Sequence, residues 1–244
     1  MITIDLKRLK IKKGFKVLDI GCGDGRHTGA VYELEGVTAI GADINFNDLL
    51  KAGDRLRFHD QIGASGKGVW SFTASDITRL PFKDNTFDLV ICSEVLEHVP
   101  EEKKAIREII RVVKPGCDLA VSVPRYLPEK ICWLLSNEYH SVEHGHIRIY
   151  KTRELVRLLE KEGVKKWSGH FAHSLHSPYW WLKCLVGPSR DNSTPVNLYH
   201  RFLTWDIMKK PLITASMDMF LNPFIGKSVV IYLKKKGADF PTSS

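Results

Sequence analysis

The chain has 244 residues, 43% hydrophobic and 26% charged, with a formal net charge of +8. This excludes intrinsic disorder as the default and allows a sizeable core without disulfides or structural metals. Five scattered cysteines without a Cys-x-x-Cys pair, no signal-peptide layout and no apolar run near the roughly 20 residues that span a bilayer point to a reduced, cytoplasmic setting.

In chain order, Lys16–Ile20 reads as a short apolar strand ended by a glycine turn, and Arg26 to Glu35 as a helix closed near Gly36. Val37 to Ala42 is a second strand, and Phe46 to Phe58 has a helical period. Strands follow at Gly68 to Thr73 and Phe87 to Cys92. Ala105, Ile106, Ile109, Ile110 and Val113 give Glu101 to Val113 helical spacing, and Lys114-Pro115-Gly116 is expected to stop that helix. Cys117 to Val123 is a fifth strand, and Thr152 to Glu160 a helix with Thr152 as its N-cap. Val164 to Phe171 and Ser228 to Leu233 complete the strands. Such alternation predicts parallel βαβ units, whose ligands bind at the carboxyl ends of the strands.

Residues at those ends carry the chemistry. Gly21, Gly23 and Gly25 follow the first strand in a Gly-x-Gly-x-Gly spacing, and the third position of a dinucleotide fingerprint is Arg26 instead. Asp43 ends the second strand about twenty residues on, where an acid can take two ribose hydroxyls. Ser75-Asp76-Ile77 follows the third strand and Ser93 the fourth. An Asp after a strand is commonly only a turn or cap, but four such features stand in order here.

Val17 to Gly25 resembles the first motif of class I S-adenosylmethionine-dependent methyltransferases. Asp76-Ile77 with Leu80-Pro81-Phe82, then Phe87-Asp88-Leu89-Val90 and Val113-Lys114-Pro115-Gly116, resemble the ubiquinone/menaquinone-methyltransferase branch (methyltransferase type 11). The resemblance spans about residues 14 to 165. It implies an α/β Rossmann-like fold, a seven-stranded mostly parallel sheet with helices on both faces and a helical insertion before the last strand. It also implies S-adenosyl-L-methionine as cofactor. Gly21, Cys22, Gly23 and Gly25 would then lie against its methionine part, with Asp19 steadying the loop. Asp43 would bind the ribose, Asp76 the adenine amino group between Ile44 and Ile77, and Ser93 would line the methionyl end.

Glu94, Glu97 and His98 follow the fourth strand at spacings of three and four, which on a helical turn share one face. This Glu-x-x-Glu-His pattern resembles the metal ligands of two O-methyltransferase groups, one acting on small-RNA 3′ ends and one on ubiquinone precursors. The resemblance implies Mg²⁺ or Mn²⁺ held by Glu94, Glu97, His98 and His146, with His144 as substitute for the last. Similar turns also occur without metal, where the histidine lines the cofactor pocket; His98 or His146 is then the candidate base. His173 and His176, three apart, are a weaker ligand spacing, read here as ordinary structural histidines along with His140 and His170.

The chain is expected to be a single methyltransferase domain over residues 1–244, with residues 174–227 a helical lid. Pro124 to Tyr150 is a second lid segment. Trp133, Trp180, Trp181, Trp205 and Phe220 suit a hydrophobic acceptor pocket, a small separate core or a homodimer contact. The basic runs Lys7 to Lys16 and Lys234-Lys235-Lys236 suit nucleic acid, peripheral membrane contact, or solubility with an anionic substrate. The leading reading is O-methylation of a small hydrophobic or aromatic acceptor. RNA 2′-O-methylation and a non-catalytic cofactor-binding partner are the alternatives.

Overall fold

A computed structural model describes residues 2–63, 66–141, 145–190 and 193–237. Strands β1 (Lys16–Ile20), β2 (Thr38–Asp43), β3 (Val69–Ala74), β4 (Phe87–Ser93) and β5 (Val113–Pro124) pair in parallel. β6 (Val164–Ala172) and β7 (Ser228–Lys235) complete one sheet of order β3-β2-β1-β4-β5-β7-β6, with β7 antiparallel to both of its neighbours. The order reverses direction beside β1, so the crevice where such sheets bind ligands opens over β1, β2 and β4.

Alternating side chains divide the core into two layers. Leu18, Ile20, Val90, Leu119 and Ile231 face the helices α3 (Glu102–Val112) and α6 (Thr152–Lys161), which contribute Ile106, Ile109, Leu155 and Leu159. Val17, Ala39, Leu89, Ile91 and Tyr232 face α1 (Arg26–Tyr32) and α2 (Phe46–Gln61), which contribute Val31 and Leu56. The remaining helices are α4 (Tyr126–Leu135) and α5 (Asn137–Ser141), then α7 (His176–Val186), α8 (Thr194–Lys209) and α9 (Leu212–Ile225) between β6 and β7.

Several boundaries differ from the sequence reading. β5 begins at Val113, because Val113 already pairs with Phe87; the Lys114-Pro115-Gly116 turn is absorbed as a register shift, with Gly116 left-handed at φ +74°. α1 ends at Tyr32, earlier than Glu35, and α2 runs on to Gln61. Thr152 is the first helical residue of α6 and Lys151 occupies the cap position. The C-terminal lysines are not a free basic patch. Lys235 Nζ donates to the carbonyls of Ile110 and Val113 at 2.7 Å each, closing the end of α3, and Lys234 lies 3.8 Å from Asp118.

The N-terminal segment is tied down by a residue the sequence did not advertise. His27 in α1 is buried, and its Nε2 accepts from the backbone N–H of Thr3 at 3.1 Å and of Ile4 at 3.3 Å. Burial pushes its imidazole down to about 4, so the folded state holds it neutral while the unfolded chain takes up a proton near 6.5. Its contribution is therefore full above pH 6.5 and is lost as the pH falls toward 4. His27→Ala is expected to cost about 1–3 kcal/mol in urea unfolding at pH 7.5, and a smaller difference from wild type at pH 4.5. A difference independent of pH would assign the loss to packing alone.

Candidate active site

At the end of β1 the backbone must turn into α1 within a few residues. Gly21, Gly23 and Gly25 all adopt left-handed φ, at +65°, +49° and +69°. A Cβ on Gly21 would lie 2.3 Å from Val95, whereas one on Gly23 would meet nothing within 4 Å. Gly23 thus faces open space while its backbone occupies a conformation suited to glycine. Asp19, buried beneath the loop, accepts from Thr28 N–H at 2.9 Å and Thr28 Oγ1 at 2.7 Å, which secures the first turn of α1. Burial nevertheless raises its carboxyl to about 7. Cys22 is buried, and burial holds its thiol far above the ordinary range.

Asp43 fastens this loop to the next strand. Its two carboxylate oxygens accept from Gly23 N–H and Asn45 N–H, each at 2.8 Å. Ile44 beside it stands 77% exposed, while Ile77 packs against the core. Asp76 is exposed and accepts from Thr78 N–H at 2.7 Å.

Beyond β4 the chain forms a wall. Ser93 Oγ donates to Ser122 Oγ at 2.8 Å, and Ser122 Oγ donates to Glu94 Oε1 at 2.9 Å. Glu94 does not share a helical face with Glu97. It has a left-handed φ of +56°, precedes the short 3-10 turn Leu96–His98, and turns its carboxylate to Ser122. Glu97, His98 and His146 do converge: one ligand atom from each lies within 4.8 Å of the others. His144 lies outside the described residues.

Glu97 is 1% exposed, and neither of its carboxylate oxygens has a hydrogen-bond partner. Burial first, and the nearby Glu94 and Glu129 carboxylates second, push its carboxyl well above the ordinary range. His98 Nδ1 lies 3.2 Å from Gly145 O, and because a carbonyl oxygen can only accept, Nδ1 carries the proton. His146 Nδ1 lies 2.5 Å from Glu129 Oε1 and is oriented in the same way. Burial raises the Glu129 carboxyl, but the His146 hydrogen bond and Lys227 outweigh it and leave it lowered.

Sequence reasoning missed four residues that build this wall. Glu129 in α4 orients His146. Arg148 donates to the carbonyls of Leu96 at 2.9 Å, Val99, and Pro100 at 3.1 Å, holding the turn that carries Glu97 and His98. Tyr139 stands edge-on to both His146 and Trp180, with ring centroids 6.4 and 5.7 Å apart. Lys227 Nζ sits over the Trp180 ring at 5.3 Å and is the cation nearest the three carboxylates in effect. Only Arg148 had a signal, its place beside His146 in the motif-like segment.

The insertion does not close over this wall as one unit. α7 does: Trp181 Nε1 donates to Pro128 O at 3.1 Å, and Trp180 faces Tyr139. α8 and α9 instead stand off α1 and α2 across a cavity of about 880 Å³ lined by Gly29, Arg55, His173, His176, Thr214 and Asp218 among others. None of the glycine-loop residues Gly21, Gly23 and Gly25, nor Glu97, His98 or His146, lines it. Trp205 and Phe220, read as pocket aromatics, are exposed. His173 and His176 pack edge to face at 5.7 Å, and burial pushes them down to about 3 and about 4, as neutral structural histidines.

A family model described as a methyltransferase domain matches residues 4–200, and the chain belongs to that family, the class I S-adenosylmethionine-dependent methyltransferases. The methyltransferase GfsG of Streptomyces halstedii is 34% identical over 119 residues, 48% of this chain and 40% of the relative. The ubiquinone/menaquinone biosynthesis C-methyltransferase UbiE of Pasteurella multocida is 39% identical over 113 residues, 46% of this chain and 40% of the relative. The sterol 24-C-methyltransferase erg6 of Aspergillus fumigatus is 31% identical over 142 residues, 58% of this chain and 34% of the relative. These matches thus span 34–40% of the relatives' length. In fold, the YcgJ protein of Bacillus subtilis superposes at TM-score 0.63 and 18% identity, covering 96% of this chain and 97% of that one. A protein named as the [4+2]-cyclase SpnF also reaches 0.63 at 18% identity, covering 96% and 78%.

Gly23→Ala tests the loop. Because nothing crowds that position, the fold should survive with a strain cost of about 1–2 kcal/mol. Binding of S-adenosylhomocysteine, measured by calorimetry, is expected to weaken by at least about tenfold, equivalent to 1.4 kcal/mol. Unchanged affinity would place the cofactor away from Gly23.

Proposed function

We propose that this enzyme transfers the methyl group of S-adenosylmethionine to an oxygen of a small hydrophobic or aromatic acceptor, beside the cluster Glu97, His98 and His146. The observation that carries this reading is the Glu97 carboxylate, buried with both oxygens unpartnered and two oriented imidazoles within 4.8 Å. An unpartnered buried carboxylate is costly unless something comes to it.

In this reading the cofactor lies across the ends of β1, β2, β3 and β4. Asp43 takes the ribose hydroxyls while still holding Gly23 and Asn45, since each carboxylate oxygen has a second lone pair. Asp76 meets the adenine amino group between Ile44 and Ile77. Gly21, Cys22, Gly23 and Gly25 approach the methionine part, with Asp19 beneath and Ser93 at the methionyl end. Methyl transfer is an in-line displacement: the acceptor oxygen forms a bond to the methyl carbon as the carbon–sulfur bond breaks and the electron pair leaves with sulfur. The protein's main contribution is alignment. Tyr139 and Trp180 offer aromatic surface to the acceptor, and the sterol and ubiquinone/menaquinone relatives support a hydrophobic one. His98 or His146 takes the hydroxyl proton.

The same donors suit a divalent cation. Burial raises the Glu94 and Glu97 carboxyls, with the neighbouring Glu94 charge adding to the rise at Glu97, and a cation beside them would favour their charged forms. Glu97, His98 and His146 would hold it, with Glu94 reaching it only by releasing Ser122. One carboxylate and two imidazoles favour Mn²⁺ over Mg²⁺. Such an ion supplies Lewis-acid activation of an acceptor hydroxyl.

Labelled S-adenosylmethionine, purified protein and cell-extract fractions should yield a labelled, organic-extractable, nuclease-resistant product whose methyl is on oxygen. A label on carbon would move the enzyme toward the chemistry named for its sterol and UbiE relatives, and a nuclease-sensitive label would favour RNA. Mn²⁺ titration should show one site in the wild type, and Glu97→Gln should weaken it by about tenfold or more with S-adenosylhomocysteine binding retained. No heat of binding with Mn²⁺, and activity unaffected by a chelator, would leave the histidines as the base without metal.

A further inference from the structure

Helix α9 is built inside out. Thr214, Asp218 and Asn222 recur at every fourth position and turn inward. Asp218 accepts from Ser174 Oγ at 2.6 Å and from Leu175 N–H at 3.2 Å, and Asn222 Oδ1 accepts from Ser174 N–H at 3.0 Å. The apolar residues take the other side. Leu212 is 84% exposed, Ile213 74% and Phe220 70%, with Met219 and Phe224 beside them. A solvated helix shows the opposite arrangement, so this face is made to be covered.

Charge selects the cover. The turn between α8 and α9 carries exposed Lys209 and Lys210, and Arg201 is exposed on α8. Asp218, the one acid of α9, is engaged at its inner face, so the outer face adds no negative charge. A second copy of a chain with net charge +8 would bring like-charged turns together. An anionic bilayer instead offers lysine-binding headgroups around an apolar interior. Fourteen residues make α9 about 21 Å long, and no described helix is long and apolar enough to cross a membrane. A helix of this kind lies within the interface rather than through it.

We infer that the α8–α9 hairpin is a membrane-docking element, inserting Leu212, Ile213 and Phe220 of α9 into an anionic lipid surface with Lys209 and Lys210 at the headgroups. The inference does not depend on the acceptor or on metal. It gives a chain that acts on hydrophobic compounds a place to meet them.

Flotation with phosphatidylcholine vesicles, with and without phosphatidylserine, tests it on the full chain. The wild type should float with the phosphatidylserine vesicles and bind less as salt is raised. Leu212→Asp with Phe220→Asp should lower the bound fraction by about tenfold or more, because charged groups are excluded from the bilayer interior. Both positions are exposed, so melting temperature and S-adenosylhomocysteine affinity should stay at wild-type values, which separates this test from that of methyl transfer. Lys209→Glu with Lys210→Glu should weaken binding to the anionic vesicles selectively. Three results would overturn the inference: wild type that floats with neither vesicle, an aspartate variant that floats as well as wild type, or a dimer in light scattering that Leu212→Asp dissolves without any vesicle binding.

Discussion

The contact between Asp19 and Thr28 decides where the first strand hands over to the first helix. A carboxylate buried at the end of β1 accepts from both the backbone and the hydroxyl of Thr28, so the intervening loop must close tightly over it. Three left-handed glycines make that closure possible, and the Val95 side chain leaves no room for a Cβ on the first of them. Asp43 then ties Gly23 to β2. The crevice over the sheet inherits its shape from these few bonds, and a small rearrangement there would reach every element that borders the cofactor.

Fold and chemistry are specified separately. A protein named as a [4+2]-cyclase superposes on this backbone at TM-score 0.63, and a shared sheet does not by itself determine a reaction. The proposed chemistry lies in the wall beyond β4. There a left-handed Glu94, a short 3-10 turn and an arginine that grips the carbonyls of Leu96, Val99 and Pro100 hold two histidines and a glutamate together. Glu129 and Gly145 take the Nδ1 side of the two imidazoles and fix their orientation.

The insertion separates into parts with different physics. α7 is bound to α4 through Trp181 and Pro128 and finishes the aromatic side of the wall. α8 and α9 stand across a cavity from α1 and α2, α8 burying Val196 and Leu203 while α9 turns Leu212, Ile213 and Phe220 to the outside. Composition alone treats all these aromatics as one reservoir for a pocket, because it counts side chains without their directions.

Much of the fold was legible in the residues themselves. Strand periodicity and glycine punctuation are local signals, and they located the seven strands; the meeting of Glu97 and His98 with His146 was expected only from the family resemblance, without Glu94's turn away from it. What the residues could not disclose was anything that depends on direction across long separations. That Lys235 caps α3 rather than meeting a polyanion, that Glu94 turns to Ser122, that Glu129 orients His146 and that His27 holds the N-terminus are contacts between residues 17 to 125 positions apart. Periodicity has no memory over that range. The inverted face of α9 belongs to the same class: its four-residue pattern was in the sequence, but only the position of Ser174 made the polar side the inner one.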